Sequence, residues 1–111
     1  MDLRIPAVPG EYDLHEMVRS AFCVAGIDFE HEVNIAPRCR IDFLVGDIGV
    51  EIKQGKQYAS RLRVQAVRYL SSPLLNGLIL VTTRGVHLPG VIMGKPTYIL
   101  GLNRLWGVAL P

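Results

Sequence analysis

The stretch RIDFLVGDIGVEIK, Arg40 to Lys53, restricts the fold more than any other part of the chain. Two apolar-rich runs flank Gly46-Asp47, a short turn of a type that hairpins favour. With those two residues as the turn, Val45 pairs with Ile48, Leu44 with Gly49, Phe43 with Val50, and Asp42 with Glu51. Opposed residues on antiparallel strands point to one face, with Cβ atoms ~4.5–5.5 Å apart. The two-residue period of a strand adds Lys53 to the face of Glu51. The hairpin therefore gathers Asp42, Glu51 and Lys53 on one side and packs Phe43, Val50 and Ile52 on the other. One more residue in the turn would shift the register and undo the pairing.

The rest of the chain divides around this hairpin. In PGEYDLHEMVRSAFCVAGIDF, the residues Leu14, Val18, Ala21, Phe22 and Ala25 recur at helical spacing, and Gly26 is placed to stop the helix. FEHEVNI alternates like a strand and is closed by Pro37. QGKQ reads as a loop and YASRLRVQAVRYLSS as a second helix ending before Pro73. Asn76-Gly77 is a further turn, LILVTT has the continuous apolar character of a buried central strand, and TYILGL is the best late strand. Trp106 is expected to pack back on the body, and HLPGVIMG to serve either internal packing or a subunit contact. The order α-β-β-β-α-β, followed by another strand, predicts an α/β fold with one mixed sheet flanked by helices.

Composition excludes several classes. Of 111 residues half are hydrophobic, and the net charge is only +2, which argues against disorder and for one domain over residues 1–111. No apolar run reaches the ~18–20 residues of a membrane span, and a secretory signal layout is missing, so a cytoplasmic protein is expected. Cys23 and Cys39 lack metal-type spacing and read as reduced thiols.

The opposed acids carry the chemistry. Two carboxylates ~5 Å apart repel by roughly 3 kcal/mol at an effective dielectric near 20. Lys53 supplies one positive charge, and a hard divalent cation is the natural complement. Mg²⁺ suits two acids, a backbone carbonyl and several retained waters, and can activate a water towards a phosphoryl group. Lys53 would orient or deprotonate that water, or stabilise charge on the phosphate. On the second helix Arg61, Gln65, Arg68 and Tyr69 fall in one sector, while Leu62, Ala66, Val67 and Leu70 form the core side. Lys53, Lys56, Arg61, Arg63 and Arg68, with Arg38 and Arg40, concentrate positive charge around the acids, as phosphate contacts require.

These residues resemble the PD-(D/E)XK nuclease superfamily, whose α-β-β-β-α-β core carries an aspartate on its second strand and E-x-K on its third. Asp42 in RIDFLV and Glu51-Ile52-Lys53 in GVEIK match that pattern, and QAVRY supplies the Q-x3-Y of a RecB-like subset as Gln65 and Tyr69. The likeness covers residues 11 to 83, and the small size is similar to archaeal Holliday-junction resolvases and phage VRR-NUC nucleases. Ile41 stands where the family has proline. The resemblance implies a restriction-endonuclease-like core and a Mg²⁺-dependent deoxyribonuclease, with Mn²⁺ able to substitute. Asp42, Glu51 and the Ile52 carbonyl would hold the ion, joined by an acid of the first helix, Glu11 in preference to Glu16. Lys53 would position the attacking water, Gln65 and Tyr69 would steady Lys53 or the phosphate, and Arg40, Lys56, Arg61 and Arg68 would hold DNA. His15 and His31 are read as structural or solvated. So short a chain leaves substrate choice to shape, to a homodimer or to a partner protein. A non-catalytic nucleic-acid-binding module of the same fold is the alternative, and a small α/β interaction protein a third.

Overall fold

A computed structural model describes residues 11–103 and 108–110, with side chains for 13–102. Among these residues the order is α1 (Glu11–Ala25), β1 (Glu30–Ala36), β2 (Cys39–Val45), β3 (Ile48–Lys53), α2 (Ala59–Leu70), β4 (Gly77–Thr82), β5 (Val91–Ile92), β6 (Lys95–Asn103) and β7 (Val108–Leu110). The strands lie in the order β1-β2-β3-β4-β6-β5, and β7 also pairs with β6. β1, β2 and β3 form an antiparallel meander, whereas β3–β4 and β4–β6 are parallel. The expected α/β fold with a mixed sheet is thus present, and α2 is the crossover that lets β4 run parallel to β3.

Turn chemistry sets the hairpin. Gly46 takes φ +60 while Asp47 stays at negative φ, the pattern of a type II′ turn, and Val45↔Ile48, Leu44↔Gly49 and Phe43↔Val50 pair as the two-residue loop predicts. Asn76 fastens this turn to the start of β4, its backbone N–H donating to the Asp47 carbonyl at 2.8 Å and its amide to the Asp47 carboxylate at 2.9 Å. Met93 and Gly94, both at positive φ, make the second tight turn, between β5 and β6.

Each face of the sheet carries its own apolar layer. Leu14 and Val18 of α1 pack on Phe43, Val50, Ile52, Val81 and Leu102. Leu62, Ala66, Tyr69 and Leu70 of α2 pack on Ile41, Leu44, Leu78 and Leu80 from the other side. LILVTT serves both layers, Leu78 and Leu80 facing α2 while Ile79 and Val81 face α1. Leu88 and Ile92 join the α2 layer, so HLPGVIMG contributes to internal packing, although Val91 and Met93 are exposed. Val67 departs from the expected core side: it is 38% exposed, and buried Tyr69 takes its place. Cys23 and Cys39 are free thiols, Cys23 exposed on α1 and Cys39 buried at the start of β2. Arg38 belongs to the β1–β2 turn, at φ +58, not to a strand. Trp106 lies outside the described residues.

Gly49 marks the tightest point of the hairpin. A Cβ there would meet Leu75 Cδ2 at 2.6 Å and Ile41 Cγ1 at 3.2 Å, and both neighbours are fully buried. Gly49→Ala is expected to destabilise the fold by about 1–3 kcal/mol, since the buried Leu75 side chain must shift and Ile41 give way to admit the methyl. Urea unfolding of the two proteins measures it, and equal midpoints would contradict this packing.

Candidate active site

Asp42 occupies a break in the phase of β2. Ile41 packs in the α2 layer and Phe43 in the α1 layer, both fully buried, although alternate residues of a regular strand share a face. The strand therefore changes phase between them, and Asp42 sits at the change. Opposite, Glu32 of β1 adopts φ +54, and the β1–β2 register skips that position. The β2–β3 ladder also stops at Phe43↔Val50. Beyond it side chains bridge the strands: the Ile52 N–H donates to Asp42 Oδ2 at 2.8 Å, and the Asp42 N–H to Glu51 Oε1 at 3.1 Å. The expected face-to-face pair of acids is thus a reciprocal side-chain-to-backbone clasp. Each carboxylate accepts a peptide N–H, which offsets part of the repulsion between the two acids.

Glu51 is the buried centre of the cluster, 6% exposed beneath α2. The Tyr69 hydroxyl donates to Glu51 Oε2 at 2.6 Å, and Lys53 Nζ lies 3.5 Å from the same oxygen. Burial, and then the charge of Asp42, push the Glu51 carboxyl up from 4.5 to about 7, against the opposing pull of Tyr69 and Lys53. Burial and the bond to Glu51 drive the Tyr69 phenol above its ordinary range, so it remains a donor. Tyr69 therefore holds Glu51, its hydroxyl donating to that carboxylate and keeping only acceptor capacity for other groups.

Among the described residues no group of three or more His, Cys, Asp or Glu is arranged to hold a metal ion. The donor chemistry nevertheless fits a hard divalent cation. Two carboxylates are held together with one of them desolvated, and hard oxygen donors of this kind suit such an ion. His15, read from the sequence as structural or solvated, is in contact with this cluster. His15 Nε2, on α1, stands 3.5 Å from Asp42 Oδ2, and its Nδ1 stands 3.5 Å from His31 Nε2. The His31 ring stacks on Phe43, with centroids 4.6 Å apart and planes at 16°. The signal was available: His15 falls beside Phe22 at the margin of the apolar stripe of α1, where a polar side chain reaches the sheet.

Glu16 turns away and pairs with Arg19 on the helix surface, at 3.6 Å. Glu11 opens α1, and its side chain lies outside the described residues. Beside Lys53 an open cavity of about 490 Å³ is lined by Ser60, Arg61, Gln65 and Arg68 among others, so these α2 residues share a surface with Lys53 as expected. Lys56 and Arg40 are not among its lining residues; Lys56 stands near the Tyr58 ring, and Arg40 faces Glu32 at 3.9 Å. No described helix is long and apolar enough to cross a membrane.

Comparison with protein-family models, with curated proteins and with solved structures finds no match for this chain.

Proposed function

We propose that this protein is a divalent-metal-dependent deoxyribonuclease built on a restriction-endonuclease-like core. One observation carries the reading: Asp42 and Glu51 are clasped together with Lys53 at the end of the hairpin, and Glu51 is buried at a cost visible in its pKa of about 7. A sheet surface made only for solvent has no reason to bury an acid beside another acid. The likeness of D-x8-E-x-K and Q-x3-Y to the PD-(D/E)XK nucleases supports the same reading from the sequence.

In this scheme Asp42 and Glu51, with the Ile52 carbonyl, would hold Mg²⁺, with Mn²⁺ able to substitute. Such an ion, when bound, would neutralise charge at the phosphate and lower the pKa of a water so that hydroxide can form. Tyr69 keeps one Glu51 oxygen oriented, and the peptide N–H of Asp42 keeps the other. Lys53 Nζ, drawn to Glu51 at 3.5 Å, presents its ammonium where it can orient water or meet developing phosphate charge. Arg61, Gln65 and Arg68 line the adjoining cavity and would hold the strand by its backbone. Oligomeric assembly or a partner protein would add selectivity.

The test is cleavage of a labelled panel of duplex, single strand, flap and four-way junction with Mg²⁺, Mn²⁺ or EDTA, with Lys53→Ala alongside. Metal-dependent cutting that falls by roughly 10²–10³-fold in the variant is expected. DNA that stays intact throughout while still being bound would leave a binding module instead.

A further inference from the structure

The start of α2 presents an aromatic side chain that neither folding nor capping explains. Tyr58 is the N-cap of α2, with φ −94 and ψ 125, yet its side chain makes no cap hydrogen bond. Its carbonyl alone receives the first-turn N–H groups of Arg61 and Leu62, each at 3.0 Å. Ser, Thr, Asn or Asp would do more for the helix at this position. Nor does the ring contribute to the core, for Tyr58 is 58% exposed.

What surrounds the ring suits a different purpose. Lys56 Nζ and Arg61 Cζ stand 5.6 Å and 5.7 Å from its centroid. The loop carrying it leaves β3 directly after Lys53 and is held at its root, where the Gly55 N–H donates to Thr83 Oγ1 at 3.0 Å and the Gln57 amide to the Gln54 carbonyl at 2.9 Å. The cavity that begins at Lys53 continues past Gln57, Ser60 and Arg61 to Gln65 and Arg68, and no described carboxylate lines it. Both cations lie over the exposed ring on flexible side chains that a base can displace towards its phosphates, beside a cavity lined by Lys53, Arg61 and Arg68 with Leu62 and Val64; proteins hold an unpaired nucleic-acid strand in this way, with bases stacked on an aromatic face and cations along the phosphates.

We infer that Tyr58 is a stacking platform for a base of a single-stranded segment, whose backbone runs past Lys56, Arg61 and Arg68 as it leaves Lys53. The inference rests on the nuclease reading for the direction of that path, and it narrows the substrate class to strands with unpaired bases. Within a duplex both faces of each base are covered by neighbours, so Tyr58 gains a partner only where the strand is single or its end is splayed.

Binding tests this without any turnover. Fluorescence anisotropy in EDTA compares a short labelled oligothymidine with a blunt duplex of equal length, using the full chain and its Tyr58→Ser and Tyr58→Phe variants. Serine is the better N-cap, so Tyr58→Ser keeps the helix while removing the ring. Tyr58→Ser is expected to weaken single-strand binding by about five- to a hundredfold and to leave duplex binding unchanged, while Tyr58→Phe stays close to wild type. Single-strand binding indifferent to Tyr58→Ser, or a wild-type preference for the blunt duplex, would overturn the inference. Its failure and that of the nuclease reading are distinguishable. DNA left uncut with Mg²⁺ or Mn²⁺, while binding still depends on Tyr58, counts against the nuclease and for the platform. Metal-dependent cutting with binding indifferent to Tyr58 counts the other way.

Discussion

Glu51→Gln is expected to abolish metal-dependent cleavage, by roughly 10²–10³-fold or more, and at the same time to make the metal-free protein more stable at pH 8. The second effect follows from the buried carboxyl. Folding raises its pKa from 4.5 to about 7, so between these values the folded chain binds more protons than the unfolded one. Stability contributed by the protonated group is complete below about 4.5 and is lost as pH rises through about 7. At pH 8 the ionised acid therefore costs roughly 3 kcal/mol relative to acid conditions. Glutamine carries no charge, and its carbonyl can still accept the Asp42 N–H. Its amide can donate to the Tyr69 oxygen, since a hydroxyl accepts as well as donates. Urea denaturation in EDTA at pH 5 and pH 8 measures the effect. The variant should gain over wild type at pH 8 and lose most of that advantage at pH 5. A variant less stable than wild type at pH 8 would mean that the Glu51 charge is fully compensated by the chain alone.

The second large effect is stabilisation by metal. Mg²⁺ or Mn²⁺ at a hundred times its dissociation constant should add about 2.7 kcal/mol to the folded state. For a domain of this size that raises the melting temperature by roughly 10–20 °C. The rise should be larger at pH 8 than at pH 6, because below about 7 the ion must displace a proton from Glu51. Asp42→Asn keeps an oxygen for the Ile52 N–H but removes a charged donor, so it should abolish the shift with little loss of fold. Differential scanning fluorimetry across the two ions and two pH values is sufficient. Equal shifts in wild type and Asp42→Asn would remove the ion from this site altogether.

Both predictions depend on how far the tertiary fold altered residues that the sequence had already brought together. Local patterning was enough for the order of elements, because helical and strand periodicities are carried within each segment. It was also enough for the hairpin register and for gathering Asp42, Glu51 and Lys53, since a two-residue turn leaves only one way to pair its flanks. The same holds for Gly26, which takes φ +70 at the end of α1, and for LILVTT, buried on both faces as a parallel central strand should be.

Other features had no local cause. Periodicity says which face a side chain takes but not what covers that face. Tyr69, grouped with the polar stripe of α2, is buried because α2 docks with that ring over Glu51, while Val67 is left at the margin. The phase change at Asp42, with Ile41 and Phe43 in opposite layers, arises from packing two helices on one strand, and RIDF contains no bulge signal such as glycine. His15 meets Asp42 only because α1 packs on the face of the sheet that holds Phe43. The sequence alone thus determined which chemical groups share the end of the hairpin. The tertiary structure decided their state, by desolvating Glu51 and supplying Tyr69 and His15, because burial and long-range contacts are properties of the assembled layers and not of any one segment.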